Sequence, residues 1–240
     1  MGRVTRALGE EHEDQKLLCL EGLIGAGKTT LINELRRTLD FYFVTEPVLQ
    51  WQRQIDSRSL LGNLYTDFHR WSYTFQVNSV LTRAQAIEEE SRLSRGRHLV
   101  MERSLLSDRE CFARLYFDSG KMSALEWYWY TRWYDHINTK IKPVGAFVYL
   151  AVDAEIALER IKKRARSEEV DIELEYLQAL NRRYEVLFAG GEASTAQGRI
   201  PVLVVDGNPD VVADPGAKDR MIEQVFDFLR EQEFSGEKDD

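Results

Sequence analysis

Residues Leu17–Thr30 read LLCLEGLIGAGKTT, an apolar run that ends in a glycine-rich turn. Between Gly22 and Thr29 the turn matches G-x-x-x-x-G-K-[ST], the pattern of a phosphate-binding loop (P-loop). Glycines let such a loop adopt positive φ and bring bare backbone N–H groups against phosphate oxygens. Lys28 is predicted to reach the β- and γ-phosphates, and the Thr29 hydroxyl to bind Mg²⁺. The residues predicted to hold the nucleotide phosphates are Gly22, Gly25, Ala26, Gly27, Lys28, Thr29 and Thr30.

The two flanks of this loop support the prediction. LLCLE is typical of a buried strand and TTLINELRRTL of a helix, which is the context that the motif requires. The helix also directs the positive end of its dipole toward a bound anion. A chance glycine turn between a strand and a helix is the alternative, and the two matching flanks make it the weaker one.

The composition favours one α/β domain that spans residues 1–240. Of the 240 residues, 43% are hydrophobic and 30% are charged. The net charge of −8 argues against nucleic acid or an anionic membrane as the main partner, and no apolar run is long enough to cross a bilayer. Cys19 and Cys111 lack metal-ligand spacing and are predicted to be buried, reduced thiols.

The two ends, residues 1–15 and 235–240, are predicted to be flexible tails. Residues 1–15 contain no apolar segment of the kind that a secretory signal needs, and GEEHEDQ is too acidic for an organelle transit peptide. We therefore expect a cytoplasmic protein.

Short β-rich runs alternate with longer helical patterns along the rest of the chain. The predicted strands are Leu17–Glu21, Tyr42–Thr45, His98–Glu102, Gly145–Val152 and Pro201–Asp206. The predicted helices are Thr29–Leu39, Phe68–Ser94, Leu105–Ser119, Ser123–Lys140, Ala154–Arg164, Ile172–Ala189 and Ala217–Gln232. This alternation predicts an α/β fold with a five-stranded parallel sheet flanked by helices. The Gly190–Arg199 stretch is predicted to be a loop.

Ligands of a parallel sheet bind beyond the carboxyl ends of its strands, where this sequence carries acidic residues. Asp206 ends the last predicted strand. Glu46 precedes Pro47 and is either an exposed carboxylate before a turn or a general base for an acceptor beside the γ-phosphate. Glu102 and Arg103 form either a structural salt bridge, or a water-mediated Mg²⁺ ligand beside a guanidinium that holds the acceptor oxygen.

A cluster of basic residues contains Arg160, Arg164 and Arg166. Arg160 and Arg164 share one face of a predicted helix. A basic helix end is often only a solvated surface, but in an acidic protein with a phosphate loop it is a candidate lid. Such a lid would close over the transferring phosphoryl group, neutralise its charge and exclude water.

Aromatic residues surround a glutamine in the first half of the chain. Trp51 and Tyr65 precede the long predicted helix, and Phe75 and Gln76 lie inside it. Aromatic residues at helical spacing are more often core than ligand site. A glutamine beside rings, however, can pair with the edge of a nucleobase while a ring stacks on its face.

Five blocks of the sequence, taken in order, resemble the deoxynucleoside kinase family, which has a P-loop kinase fold with a short arginine-rich lid. They are LLCLEGLIGAGKTT, TEPVLQW, RWSYTFQ, VMERSLLSDR and RIKKRARSEE…LEYL. The matching blocks extend from about Leu17 to Asp206, which is most of the chain. The resemblance implies transfer of the γ-phosphoryl group of ATP to the 5′-hydroxyl of a deoxynucleoside, with Mg²⁺, in nucleotide salvage. It also implies a homodimer packed through helices.

The same resemblance implies roles at the matching positions. Glu46 is the implied general base, Glu102 the Mg²⁺-associated carboxylate, and Arg103 the residue that steadies the 5′-oxygen. Tyr65 and Glu169 fall where the family grips the sugar 3′-hydroxyl. The implied residues around the base are Trp51, Phe75, Gln76 and Phe112. The implied lid and donor-base residues are Arg160, Arg164, Arg166, Asp206 and Asn208.

Substrate preference is predicted from Arg83 and Asp108. They fall where cytosine- and purine-preferring members of the family carry an Arg–Asp pair, which thymidine-preferring members lack. Such a pair would hold Gln76 in one orientation and put polar groups near the exocyclic position of the base. The sequence leaves open whether the two residues meet, and on the resemblance we expect deoxyadenosine, deoxyguanosine or deoxycytidine to be preferred over thymidine.

Two other functions stay open at the level of sequence. A nucleoside monophosphate kinase shares the loop and the lid, but its acceptor is a dianion that needs a basic clamp rather than a general base. A dNTP-sensing protein without turnover is the other alternative, and an intact set of Lys28, Glu46, Glu102 and Arg103 argues against it.

Overall fold

A computed structural model describes residues 15–55 and 57–234, and within them a six-stranded sheet forms the centre of the fold. The strands are β1 (Leu17–Gly22), β2 (Tyr42–Val44), β3 (Leu99–Glu102), β4 (Val144–Ala151), β5 (Glu192–Thr195) and β6 (Gly198–Asp206). Their order across the sheet is β2-β3-β1-β4-β6-β5. All neighbours except the pair β6 and β5 run parallel, which confirms the five predicted parallel strands.

The prediction of a loop at Gly190–Arg199 is wrong, because this stretch contains β5 and the first residues of β6. Strand β5 pairs antiparallel with β6 at the edge of the sheet. Its sequence, EAST, buries Ala193 and no other residue, so it lacks the apolar run that would indicate a strand. The turn between the two strands is closed by the Thr195 hydroxyl, which donates to the Gly198 carbonyl over 2.9 Å.

Helices surround the sheet, and every residue of its central strand β1 is buried. The helices are α1 (Lys28–Thr38), α2 (Val48–Trp51), α3 (Leu60–Thr66), α4 (Phe68–Leu93), α5 (Leu105–Ser107), α6 (Arg114–Asp118), α7 (Ala124–Asn138), α8 (Ala154–Arg164), α9 (Leu174–Phe188) and α10 (Pro215–Glu231). Cys19 of β1 and Cys111 are buried, free thiols. The alternation of strands and helices therefore produces the layered α/β architecture that the sequence predicted.

The helices differ from the prediction in two places. The short helices α2 and α3 were not predicted, because four and seven residues are too few to establish a helical period. The predicted continuous helix Leu105–Ser119 contains a π-helical turn at Asp108–Ala113, between α5 and α6. Such turns are frequent at functional sites, and Asp108 and Phe112 of this one line the main cavity.

The long helix α4 carries three of the residues predicted to surround the base, Phe75, Gln76 and Arg83. It begins at Phe68, where Asp67 caps it by accepting a hydrogen bond from the Arg70 backbone N–H over 3.1 Å. It packs against α3 and α7. Its inner face buries Gln76 and Arg83, which are 1% and 2% exposed, so both polar groups need partners inside the protein or from a ligand.

The described chain begins at Gln15, which had been assigned to the N-terminal tail. Its Nε2 donates to the Arg97 carbonyl over 2.6 Å and its Oε1 accepts from the Ser91 hydroxyl over 3.0 Å, so this residue is anchored. The remainder of the predicted tails, residues 1–14 and 235–240, lies outside the described residues. Among the helices of the described chain, none is both long and apolar enough to cross a membrane.

Candidate active site

The glycine-rich loop lies tightly against β4 and α8. Gly22 has φ 140°, and a Cβ atom there would lie 2.7 Å from the Leu150 carbonyl oxygen. Gly25 has φ 83°, and its Cβ would lie 2.5 Å from the Ala157 carbonyl oxygen. Both contacts are shorter than any side chain permits, so these positions require glycine for conformation and for space.

Lys28 is buried at the start of α1 and lies between the loop and Glu102. Its Nζ donates to the Leu23 carbonyl over 2.7 Å and to the Gly22 carbonyl over 3.1 Å. The Glu102 Oε1 atom is 3.7 Å away. Burial lowers the pKa of Lys28 to about 8, with Arg103 lowering it further and Glu102 opposing the shift. The ammonium group is thus held at the edge of the cavity with only part of its charge compensated.

Thr29 and Glu102 meet across the carboxyl ends of β1 and β3. The Thr29 hydroxyl donates to Glu102 Oε2 over 3.0 Å, and the two strands pair so that Leu20 lies opposite Glu102. A hydroxyl and a carboxylate are the hard oxygen ligands that Mg²⁺ accepts, usually alongside substrate phosphates and water. The Thr29 hydroxyl and the Glu102 carboxylate therefore fit that ion as ligands. Within the described chain, no group of three or more His, Cys, Asp or Glu side chains is placed to hold a metal ion.

Glu46 is held by two guanidinium groups. Its Oε1 accepts a hydrogen bond from Arg83 Nη2 and another from Arg103 Nη1, the latter over 3.2 Å. Burial raises the pKa of this carboxyl, but Arg83 and Arg103 outweigh burial and bring the pKa to about 2. Glu46 is therefore ionised at neutral pH and points an anionic oxygen into the site.

Arg103 takes an unusual backbone conformation. Its φ is 61°, in the left-handed region that non-glycine residues seldom occupy. Its guanidinium lies over the Phe112 ring, 5.1 Å from the centroid, and its Nε is 3.4 Å from the Tyr184 hydroxyl. These contacts and the one to Glu46 fix the guanidinium on the wall of the cavity.

Arg83 and Asp108 meet, which answers the question that the sequence left open. Arg83 Nε lies 2.8 Å from Asp108 Oδ2, an ion-pair distance, although the N–H does not point at that oxygen. The Ser79 hydroxyl donates to the same oxygen over 3.0 Å. Arg83 also donates to the Glu102 carbonyl over 2.9 Å and lies over the Trp51 ring at 5.0 Å. Arg83 therefore connects the predicted base pocket to the predicted catalytic residues.

Gln76 lies beside this pair with its amide available to a ligand. Its Oε1 is buried and has no hydrogen-bond partner in the described part of the chain. Phe75 and Trp51 pack edge to face next to it, with ring centroids 5.4 Å apart. The indole of Trp51 is oriented by its N–H, which donates to the Thr82 hydroxyl over 3.0 Å. An unpartnered buried amide beside fixed rings suits the edge of a nucleobase.

One cavity of about 650 Å³ contains most of the predicted site residues. The predicted residues that line it are Gly25, Ala26, Gly27, Lys28, Thr29, Thr30, Glu46, Trp51, Tyr65, Phe75, Gln76, Arg83, Glu102, Arg103, Asp108, Phe112, Arg160, Arg164, Arg166 and Glu169. The size is that of a site for small ligands. The residues predicted to bind the phosphate donor and those predicted to bind the acceptor therefore line one continuous cavity.

Three predicted site residues, Gly22, Asp206 and Asn208, do not line this cavity. Asp206 accepts a hydrogen bond from the Asn208 backbone N–H over 3.0 Å. The Asn208 amide oxygen accepts one from the Asp153 N–H over 2.9 Å. Both side chains thus shape the loop after β6, and we expect their cavity-lining neighbours to contact the donor instead. Those neighbours are Gly207, Pro209, Asp210, Val211 and Val212.

The three lid arginines have different partners. Arg160 donates to backbone carbonyls of the loop after β6, at 2.8 Å to Gly207 and 2.9 Å to Asn208, so it holds that loop in place. Arg164 and Arg166 instead pair with the buried Glu169, the latter at 3.4 Å. Glu169 is the residue assigned to the sugar 3′-hydroxyl. Two of the predicted lid arginines are therefore linked to the predicted sugar-binding residue through one carboxylate.

Several wall residues were not identified from the sequence. Tyr116 and Tyr176 line the cavity with their hydroxyls 2.9 Å apart, and Leu61 and Leu64 of α3 complete the same region. The LEYL block contained Tyr176, but nothing in a single sequence distinguishes that tyrosine from a core residue. The leucines were missed together with the helix that carries them.

Comparison with known proteins assigns the chain to a family. The sequence model described as deoxynucleoside kinase matches residues 18–230. A probable deoxycytidine kinase of Fowlpox virus is 31% identical over 91% of this chain and 90% of its own. Mitochondrial thymidine kinase 2 of Homo sapiens is 34% identical over 83% and 73%, and mitochondrial deoxyguanosine kinase of Xenopus laevis is 29% identical over 94% and 94%. The resemblance is confirmed: the chain belongs to the deoxynucleoside kinase family, whose members are phosphotransferases.

Proposed function

We propose that residues 1–240 form one kinase domain that transfers the γ-phosphoryl group of ATP to the 5′-hydroxyl of a deoxynucleoside in nucleotide salvage. The observation that carries this proposal is the single cavity shared by the P-loop, the ionised Glu46 and the unpartnered amide of Gln76. A P-loop alone suits any nucleotide-binding protein. A carboxylate and a base-pairing amide in the same space suit a nucleoside acceptor.

Glu46 is proposed to orient the 5′-hydroxyl and to receive its proton. The hydroxyl oxygen forms a bond to the γ-phosphorus while the bond to the leaving ADP oxygen breaks. With a pKa of about 2 the carboxylate is a weak base, so proton transfer comes late, after bonding to phosphorus has made the hydroxyl acidic. Arg103, which contacts Glu46, steadies the same oxygen.

The donor side of the site neutralises phosphate charge. Lys28 and the P-loop N–H groups would bind the phosphates, and Arg164 and Arg166, which pair with Glu169 in this structure, would add positive charge from the lid. Mg²⁺ would be held by Thr29 and Glu102, and when bound it would neutralise charge on the β- and γ-phosphates. Most of the catalysis is therefore positioning and electrostatic stabilisation.

A purine deoxynucleoside or deoxycytidine is proposed as the preferred acceptor over thymidine. The support is the ion pair between Arg83 and Asp108, at 2.8 Å, beside Gln76. A charged, hydrogen-bonding wall tolerates the 5-methyl group of thymine poorly, because a methyl group would cover the ion pair without forming a hydrogen bond to it.

An ADP-release assay tests the function directly. The protein is supplied with ATP, Mg²⁺ and, in turn, each deoxynucleoside and each deoxynucleoside monophosphate. We expect ADP with deoxyadenosine, deoxyguanosine or deoxycytidine and a lower kcat/KM for thymidine. ADP with a monophosphate only would favour the nucleoside monophosphate kinase, and no ADP with any acceptor would favour a dNTP sensor.

A homodimer is proposed on the basis of an apolar face formed by α7 and α4. On α7, Leu125, Trp129 and Trp133 recur every four residues and are 68%, 49% and 49% exposed. Helix α4, which packs against α7, adds the exposed Leu81. Aromatic side chains that recur on one exposed helix face are typical of a protein–protein interface.

Replacement of Trp129 and Trp133 by Glu is expected to convert the dimer to a monomer, because two charges would be buried in the interface. Sedimentation velocity at micromolar concentration measures the change. Val186→Glu, at an exposed apolar position on α9, is the matched control and should leave the dimer intact. A dimer that persists in the double variant would show that the interface lies elsewhere.

A further inference from the structure

A buried carboxylate, Glu21, lies below the catalytic loop and has no role in the chemistry described above. It is the fifth residue of β1 and is 0% exposed. Its Oε1 accepts two hydrogen bonds from Ser104, one from the backbone N–H over 2.8 Å and one from the hydroxyl over 2.6 Å. Its Oε2 is buried without a hydrogen-bond partner in the described residues. Because burying a carboxylate costs folding free energy, we expect Glu21 to hold a specific part of the structure in position.

The two hydrogen bonds act on the residue that follows Arg103. Arg103 is left-handed at φ 61°, a conformation that persists in a non-glycine residue only when its surroundings impose it. On one side, the Arg103 N–H donates to the Leu20 carbonyl over 2.9 Å. On the other side, the N–H of Ser104 is held by Glu21. Two consecutive residues of β1, Leu20 and Glu21, therefore accept the hydrogen bonds that hold the backbone on either side of Arg103.

The Ser104 hydroxyl connects these hydrogen bonds to the next helix, α5. It accepts a hydrogen bond from the Ser107 N–H over 3.2 Å and so caps α5 while donating to Glu21. The direction in which the chain leaves β3 is thereby fixed. The direction of the Arg103 side chain is fixed as well, and its Nη1 donates a hydrogen bond to Glu46 over 3.2 Å.

We propose that Glu21 is a positioning residue for phosphoryl transfer: through Ser104 it holds Arg103 in the left-handed conformation that directs its guanidinium to Glu46. The expected effect on kinetics rests on the proposed function, whereas the claim that Glu21 holds the conformation of Arg103 does not. Glu21 does not line the cavity in which the nucleotide and the acceptor are proposed to bind, so it acts only through the backbone of the loop from Glu102 to Ser104.

The surroundings of Glu21 make a neutral replacement feasible. Burial raises its pKa to about 7, against the lowering effect of the Ser104 hydrogen bonds. The charged and titratable groups that face it from the neighbouring elements are Lys28, Arg103, Cys111 and Tyr184, and Cys19 lies near it on β1 itself. A glutamine keeps the acceptor for Ser104 and resembles the protonated acid, so Glu21→Gln should fold, whereas Glu21→Ala removes the acceptor.

The kinetic experiment compares kcat and KM of Glu21→Ala, Glu21→Gln and Ser104→Ala with those of the unaltered protein. We expect Glu21→Ala to lower kcat about 10- to 100-fold, since an error of about 1 Å in a catalytic group costs about that much, while KM for ATP changes less than about threefold. Glu21→Gln should keep most of the kcat that Glu21→Ala loses. The double variant Glu21→Ala/Ser104→Ala should have a kcat no lower than that of the slower single variant, because the two substitutions break the same connection between β1 and Arg103.

Cys19→Ala is the matched control, since it alters the same face of β1 two residues earlier and should keep kcat. A crystal structure of Glu21→Ala gives the readout that does not depend on kinase activity. We expect Arg103 to leave the left-handed region and to lose its contact with Glu46. An unaltered kcat, or an Arg103 that keeps φ near 61° and the contact, would overturn the proposal. An unaltered protein that phosphorylates no acceptor would reject the proposed function, and the crystal structure would still decide the role of Glu21.

Discussion

A Glu46→Gln variant is expected to bind ATP as the unaltered protein does and to lose about 100-fold or more of kcat, the scale of general-base effects. Glutamine keeps the shape of the side chain but cannot take the proton of the attacking hydroxyl. It also removes the anion that orients Arg83 and Arg103, both of which contact the same carboxylate oxygen. The measurement is steady-state ADP release at saturating ATP and deoxynucleoside.

Two controls separate loss of chemistry from loss of structure. Removing one partner of a buried ion pair destabilises a protein by about 3–5 kcal/mol, so thermal unfolding and ATP affinity are measured beside kcat. Glu88→Gln is the matched substitution, because Glu88 lies on α4 in an exposed ion pair with Arg92, and it should leave kcat unchanged. A Glu46→Gln protein with near-full kcat would contradict the proposed role of Glu46.

The parts of the site that sequence could predict are those encoded by short local patterns. The P-loop is eight consecutive residues between an apolar run and a helix, and the lack of space at Gly22 and Gly25 shows that glycine is required at these two positions. Glu46 comes shortly after β2 and Glu102 is the last residue of β3, and the edge of a parallel sheet brings strand ends together. Local pattern and topology together therefore sufficed to predict that these residues share one edge.

The parts that sequence could not predict depend on contacts between distant residues. Arg83 is 37 positions from Glu46, and no periodicity indicates that its guanidinium turns toward the catalytic carboxylate as well as toward Asp108. The left-handed conformation of Arg103 is imposed by β1 and not by its own type. Strand β5 was missed because a polar edge strand buries one residue in four.

Removing the Arg83–Asp108 pair is expected to change both the base preference and the absolute kcat. Arg83→Met with Asp108→Ala removes the charged pair and opens space beside Gln76, so the ratio of kcat/KM for thymidine to that for purine deoxynucleosides should rise roughly tenfold or more, the scale of one well-filled apolar contact. Arg83 also contacts Glu46 and the Glu102 carbonyl. The absolute kcat should therefore fall for every acceptor, because Glu46 loses one of its two cationic partners.

The single variant Asp108→Ala separates these two effects. Asp108 contacts Arg83 and Ser79 but not Glu46, so its loss should change the thymidine-to-purine ratio while reducing kcat less than the double variant does. If both variants leave the ratio unchanged, the pair does not determine which base is accepted. If the ratio rises without the general loss of kcat, Arg83 reads the base but does not support Glu46. Both changes together would mean that one buried guanidinium serves recognition and catalysis, which the contacts of Arg83 with Glu46 and Asp108 favour.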